Sequence, residues 1–181
     1  YLSALKDRFI KTLDLKDEEV ITPFDARLFV VVGAVLDKDE KKVFINEASV
    51  GSDEVGTGDY FGPLIVTAAF VSKENIAWMQ DLGVRDSKKL TDDKIIKIAP
   101  ELIKRIPHTT MVLSNEEYNQ YQSTDINMNK VKAILHNKCL LSVIKKDGVK
   151  YSKIVVDQFE PEKAYYAHIA KAPEKVTNIT F

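Results

Sequence analysis

The chain has 181 residues, of which 45% are hydrophobic and 29% are charged, and its formal net charge is −1. These values are typical of a soluble globular protein, and the absence of any apolar run of about 18 residues excludes a membrane-spanning helix. The single cysteine, Cys139, excludes an internal disulfide, favours a reducing cytoplasmic location and is expected to be a buried apolar residue.

Residues 1–47 are expected to form a segment of their own. Apolar side chains recur at helical spacing over residues 2–13, which predicts a short helix. Residues 26–36 and 43–45 are apolar and separated by a charged turn, which predicts a hairpin. The segment carries no recognisable chemistry, so it stays unassigned as a remnant, a linker or an unrelated addition.

Residues 48–181 are expected to form one domain with an α/β layout, because three strands are followed by alternating helices and strands. The turn between the first two strands is short, so they should pair antiparallel. Thr91 is expected to cap a helix that Pro100 kinks or splits. The predicted strands are 49–55, 64–72, 109–113, 152–157 and 176–181, and the predicted helices are 74–82, 92–106, 116–121, 129–146 and 161–170.

Glycines and acids are concentrated at the end of the first predicted strand. Four of the seven glycines fall between residues 51 and 62, and Asp53 and Glu54 stand beside them. Glycines spaced in this way mark a backbone that turns sharply or lets a ligand approach closely. Acids beside such a backbone indicate a metal ion together with a phosphate or a sugar.

Four blocks in this order resemble type 2 ribonucleases H, and specifically bacterial ribonuclease HIII. They are Asp-Glu-Val-Gly-Thr-Gly-Asp-Tyr-Phe-Gly-Pro at 53–63, Gly-Val-Arg-Asp-Ser-Lys-Lys-Leu at 83–90, Asn-Met-Asn-Lys-Val-Lys-Ala-Ile-Leu-His-Asn at 127–137 and Val-Val-Asp-Gln-Phe at 155–159. The resemblance spans roughly residues 48–181. It implies a ribonuclease H-like fold with a mixed five-stranded sheet, in which strand four lies parallel to strand one and brings Asp157 beside Asp53.

The resemblance also implies an activity and a site. Asp53, Glu54 and Asp157 would be catalytic residues that hold Mg²⁺ or Mn²⁺, and the substrate would be the RNA strand of an RNA–DNA hybrid. Cleavage by two metal ions would leave a 5′-phosphate and a 3′-hydroxyl. Substrate contacts are expected from the turn residues Gly56, Thr57 and Gly58, from Ser87 and Lys88, and from Asn129 and Lys132 on the long helix. In ribonuclease HIII a fourth acid, a Glu, follows strand five, so it is expected beyond Phe181 in a longer protein.

Structural explanations compete at several of these positions. Asn129 is equally well explained as a helix cap, and His136 as a histidine with purely structural partners. Lys88 is alternatively a solvated surface lysine. Between residues 129 and 153 seven lysines stand against one aspartate, a balance that suits either phosphate contact or a solvated helix face.

Two other functions stay open. The fold is shared with integrases, transposases and resolvases, so another polynucleotide nuclease is the nearest enzyme alternative. A catalytically silent hybrid-binding domain is the alternative of another class. No membrane association and no obligate protein partner are expected.

Overall fold

The computed structural model describes residues 47–57, 62–84, 90–123 and 127–181, with side chains of 122 and 123 excepted. The helix and hairpin predicted before residue 46 lie outside the described residues. The division of the chain at residue 47 therefore stays a prediction.

The described residues form a mixed five-stranded sheet with the strand order β3-β2-β1-β4-β5. The strands are β1 (Ser49–Val55), β2 (Leu64–Val71), β3 (His108–Leu113), β4 (Lys153–Val156) and β5 (Ile179–Thr180). β1 to β3 form an antiparallel meander, and β4 and β5 add to β1 as parallel strands. This arrangement confirms the predicted fold class. The last strand is shorter than expected, because Asn178 adopts a left-handed φ of 59° and extended backbone resumes only after it.

Helices cover both faces of the sheet. They are α1 (Lys73–Leu82), α2 (Asp92–Arg105), α3 (Asn115–Ser123), α4 (Met128–Ile144) and α5 (Glu162–Ile169). β2 is buried along its whole length and its side chains alternate between two cores. Ala69 and Val71 pack with α1 and α2, whereas Ala68 and Phe70 pack with α4 and α5. The sequence of β2 is therefore apolar at every position except Thr67, as expected for a strand covered on both faces.

Helix α2 begins as predicted and does not split at Pro100. The Thr91 hydroxyl accepts a hydrogen bond from the Lys94 backbone at 3.4 Å, and Ile95, Ile98 and Leu102 form its buried stripe. Pro100 cannot donate to the carbonyl one turn earlier, that of Ile96. Both residues are solvent-exposed, so water can satisfy that carbonyl and the helix continues through the proline.

Helix α4 buries one of its lysines. A solvated helix face was one of the two interpretations of the lysines between residues 129 and 153, but Lys132 is only 6% exposed. Cys139 is fully buried, as expected, whereas Leu135 and Ile144 are only half-buried. α4 contacts β1, β2, β3 and α5, so more of its circumference is covered than a single apolar stripe would require. This placement sets the start of α4 over the carboxyl end of β1.

Candidate active site

Two carboxylates lie at the carboxyl ends of neighbouring parallel strands. The last paired residues of β1 and β4 are Ser52 and Val156, and the next residues along the two strands are Asp53 and Asp157. Neighbouring strands are about 4.8 Å apart, so the two acids are adjacent although 104 positions separate them. Asp53 is half-buried and Asp157 is exposed. The sheet thus brings together the two acids that the sequence singled out.

Glu54 belongs to the other face of β1. Successive side chains of a strand project to opposite faces, so Glu54 shares the α4 face with Ser52, whereas Asp53 does not. The Asp53 carboxylate accepts a hydrogen bond from the Glu54 backbone amide at 2.7 Å. The Glu54 side chain is only 10% exposed and lies under α4. Adjacent acids in the sequence therefore have different surroundings.

Two side chains of α4 hold the Glu54 carboxylate. The Lys132 ammonium donates to Oε1 at 3.0 Å, and the His136 ring donates from Nε2 to Oε2 at 2.9 Å. Each carboxylate oxygen of Glu54 thus has its own donor. This pairing explains why Lys132 is buried, because a lysine is almost never buried without a partner.

His136 is fully buried and has a partner at each ring nitrogen. A carboxylate only accepts, so Nε2 carries the proton shared with Glu54. Nδ1 lies 2.8 Å from the Ser52 hydroxyl, which donates to it when the ring is neutral. The ring also stacks on Phe159, with centroids 5.2 Å apart. His136 therefore links β1, α4 and the loop that follows β4.

The surroundings of Glu54 lower its pKa below the ordinary value. Burial is the largest influence and raises the pKa, because it penalises the charged form. The hydrogen bond and charge of His136, followed by those of Lys132, act in the opposite direction and together outweigh burial. Glu54 is consequently held as a carboxylate with both oxygens engaged.

The turn after β1 requires glycine at its first position. Gly56 has a φ of +90°, and a Cβ added there would lie 2.2 Å from the carbonyl oxygen of Pro63. Thr57, the next residue, is exposed beside the acids. The close approach that the glycines predicted therefore involves the backbone of this chain at Gly56, and Gly58 lies outside the described residues.

The other expected substrate-contacting residues are only partly described. Ser87 and Lys88 lie outside the described residues. Asn129 lies in the first turn of α4, half-buried, and its backbone amide donates to the Asn127 side chain at 2.9 Å. Asn127, and not Asn129, is thus the residue that caps α4.

The donor chemistry of the strand ends suits a divalent cation. Asp53 and Asp157 offer hard oxygen ligands side by side, as Mg²⁺ and Mn²⁺ prefer. Within residues 47–57, 62–84, 90–123 and 127–181, however, no three acidic, histidine or cysteine side chains converge closely enough to hold a metal ion as they stand. Glu54 projects towards α4, on the other face of β1 from Asp53, and each of its oxygens accepts a hydrogen bond there.

Two acids further along the chain have other partners. Glu160 is buried and pairs with His168 of α5 at 3.3 Å. Glu174 pairs with Lys145, but both side chains are largely exposed to solvent, where an ion pair contributes little to stability.

Sequence reasoning missed three elements of this site. Ser52 and Phe159 were not singled out for any role, and Lys132 was expected to contact only substrate. One signal was present: Lys132 and His136 are four residues apart, so a helix places them on one face, one turn apart.

Comparisons with known proteins agree with this fold. The family model described as Ribonuclease HII matches residues 50–180. Ribonuclease HIII of Bacillus subtilis (strain 168) is 49% identical over 121 residues, which are 66% of this chain and 39% of the relative. Ribonuclease HIII of Listeria monocytogenes serotype 4b (strain CLIP80459) is 40% identical over 139 residues, covering 76% of this chain and 45% of the relative. The chain thus spans less than half the length of these curated relatives.

Solved structures agree as well. Bst-RNase HIII in complex with Mn²⁺ superimposes with a TM-score of 0.71 at 37% identity, over 74% of this chain and 44% of that one. Aquifex aeolicus RNase H3 gives a TM-score of 0.57 at 26% identity, over 76% of this chain and 49% of that one. None of the described helices is long and apolar enough to cross a membrane. With the family model matching most of its length, the chain belongs to the ribonuclease HII family and is ribonuclease HIII-like.

Proposed function

We propose that the protein containing this chain is a metal-dependent endonuclease that hydrolyses the RNA strand of RNA–DNA hybrids. The observation that carries the proposal is the pair Asp53 and Asp157, adjacent at the ends of parallel strands and next to the Gly56 turn. Two acids this close repel each other, and a divalent cation relieves that repulsion. The solved Bst-RNase HIII complex, which contains Mn²⁺, supports the class of metal.

Three acids of this chain have proposed metal-binding roles. Asp53, Glu54 and Asp157, with a further carboxylate, would hold Mg²⁺ or Mn²⁺. Bound ions of this kind would supply an activated water for in-line attack and would stabilise the leaving 3′ oxygen. Asp157 is exposed and Asp53 is half-buried at this edge, whereas both carboxylate oxygens of Glu54 already accept hydrogen bonds from α4. The expected products are a 5′-phosphate and a 3′-hydroxyl.

Recognition of RNA is assigned to the turn and to the start of α4. Gly56, Thr57 and Gly58 would approach the ribose 2′-hydroxyl, the group that distinguishes RNA from DNA. Exposure of the Thr57 side chain beside the acids supports this role. Ser87, Lys88 and Asn129 would contact phosphates, and the N-terminus of α4 adds a favourable dipole for them. Lys132 would join them only after its ammonium leaves Glu54.

The test is a cleavage assay on the full-length protein. Labelled RNA–DNA hybrid, DNA duplex and RNA duplex are each incubated with Mg²⁺, Mn²⁺ or a chelator. We expect metal-dependent cutting of the hybrid alone, with 5′-phosphate ends on the products. Asp157→Asn is the matched inactive control, because it keeps the shape of the side chain and removes its charge.

Two results would redirect the proposal. Equal cutting of hybrid and DNA duplex would favour a general polynucleotide nuclease of the same fold. Tight hybrid binding without cutting in any metal would favour a catalytically silent binding domain. The hydrogen bonds that Lys132 and His136 donate to Glu54 are compatible with that alternative, because they occupy both carboxylate oxygens of an expected metal ligand. Cytoplasmic location and the lack of an obligate protein partner stay predictions.

A further inference from the structure

Lys132 is a buried cation at the edge of the proposed metal site. Its side chain is 7% exposed, and its ammonium lies 3.0 Å from Oε1 of Glu54. The same ammonium lies 4.1 Å from the centre of the Phe159 ring, whose face attracts a positive charge. Two unlike partners, an acid and an aromatic face, therefore fix this one ammonium.

The position of Phe159 gives the contact a wider effect. Phe159 is two residues beyond Asp157, in the loop after β4, whereas Glu54 is next to Asp53 on β1. By touching both, Lys132 connects the two strand ends that carry the adjacent acids. A positive charge at this place offsets the repulsion among the acids when no metal is present.

The two donors of Glu54 differ in what a metal ion would do to them. His136 donates to Oε2 as a ring that can be neutral, so it can remain while Oε1 binds a cation. Lys132 donates to Oε1 with a full positive charge, so it competes with a divalent ion for that oxygen and repels it. Only one of the two contacts on α4 is therefore compatible with a metal ligated through Oε1.

We propose that Lys132 is a resident counter-ion of Glu54, which occupies Oε1 in the metal-free protein and leaves it when Mg²⁺ or Mn²⁺ binds. This inference rests on the proposed function, because it takes Glu54 as a metal ligand. Lys132 is a positioning residue in this role. Linkage makes the effect reciprocal: metal binding weakens the Lys132–Glu54 contact by the same factor by which that contact weakens metal binding.

The first experiment measures Mn²⁺ binding to the full-length protein without substrate, by calorimetric titration. Lys132→Met removes the competing charge and keeps the length of the side chain, so Mn²⁺ should bind at least about fivefold more tightly. Lys138→Met is the control: it loses the same charge from an exposed position on α4 and should change affinity less than about twofold. Lys132→Arg keeps the charge and should not tighten binding. Unchanged or weaker binding by Lys132→Met would overturn the inference.

The second experiment uses the wild-type protein, so it does not depend on the folding of a variant. Reductive methylation, followed by mass spectrometry of the Lys132 peptide, reports whether its ammonium is accessible. Lys132 should be protected in chelator and become methylated in saturating Mg²⁺, while the exposed Lys138 is methylated in both. Continued protection of Lys132 in saturating Mg²⁺ would overturn the inference.

The hybrid-cleavage assay separates the two levels of the proposal. Wild-type protein that cuts hybrid with Mn²⁺ while Lys132 stays protected would refute the counter-ion role and leave the proposed function standing. Wild-type protein that neither binds Mn²⁺ nor cuts hybrid would refute both.

Discussion

His136→Ala is expected to destabilise the metal-free domain by about 4 kcal/mol. The substitution removes a hydrogen bond to the charged Glu54, worth about 1.5–3 kcal/mol, and one to Ser52, worth about 1 kcal/mol. It also leaves a cavity where a fully buried ring stacked on Phe159, for a further cost of about 2 kcal/mol. The three contributions overlap, so the total is less than their sum. Domains typically have a free energy of unfolding of roughly 5–15 kcal/mol, so a loss of this size is a large fraction of the total.

Cys139 provides a local probe for this measurement. It is the single cysteine of the chain and is fully buried on the same helix, so its alkylation reports the unfolding of this domain. Full-length protein in chelator is equilibrated in increasing urea, pulsed with an alkylating reagent and analysed by mass spectrometry of the Cys139 peptide. The urea midpoint of labelling then gives the change in free energy of unfolding.

A control and a double-mutant cycle make the result specific. Lys138→Ala, at an exposed position on α4, should shift stability by no more than about 0.5 kcal/mol. Ser52→Ala combined with His136→Ala should show a coupling of about 1 kcal/mol, because the two side chains share a hydrogen bond. A cost below about 1 kcal/mol for His136→Ala would refute the assignment of His136 as the link between β1 and α4.

Three further predictions follow from single sites. Gly56→Ala should lower the free energy of unfolding by more than about 2 kcal/mol, because its Cβ would meet the Pro63 carbonyl. Gly148 also has a positive φ, of +79°, but nothing lies within 4 Å, so Gly148→Ala should lose only about 1 kcal/mol through backbone strain. Urea midpoints of the two variants provide the comparison. Asp157→Asn should reduce hybrid cleavage by at least about a hundredfold and leave metal-free stability equal or higher, and near-normal cleavage would place the active site elsewhere. Burial raises the pKa of the Cys139 thiol to about 12, so alkylation of the native protein at pH 8 should be negligible over hours, and rapid labelling without denaturant would contradict its burial.

Local patterns were sufficient to predict most of the secondary structure. The apolar, β-branched run of β2 lies between Pro63 and a polar residue, and the structure ends it one residue earlier than predicted. The short turn before it predicted the antiparallel pairing with β1, because a few residues cannot make a crossover. Of the two outcomes predicted for Pro100, a kink or a split, the structure contradicts the split. Whether a helix continues through a proline depends on whether water reaches the freed carbonyl, which sequence spacing does not reveal.

The pairing of β1 with β4 was a different problem. Nothing local in either strand specifies its parallel partner, and 104 residues separate the two acids. The prediction therefore depended on the family resemblance and not on periodicity. The observed parallel register of β1 and β4 confirms the predicted pairing of these strands. Gly56 shows the opposite limit: the glycine spacing correctly predicted a close approach, but only the structure shows that the Pro63 carbonyl is the approaching group.

The contact between Lys132 and Glu54 shows how far sequence could have gone at the site itself. Helical spacing places Lys132 on the same side of α4 as His136, and a lysine on a buried side is stable only if an acid faces it. The partner is 78 positions away, so no short-range pattern identifies it. The strand beneath the helix does narrow the choice, because side chains alternate along β1 and only one of the adjacent acids Asp53 and Glu54 can project towards α4. A lysine at a buried helical position is thus a signal to look for an acid on the neighbouring strand. In β1 that acid is Glu54, because it lies on the same side of the strand as Ser52, whose hydroxyl is hydrogen-bonded to His136.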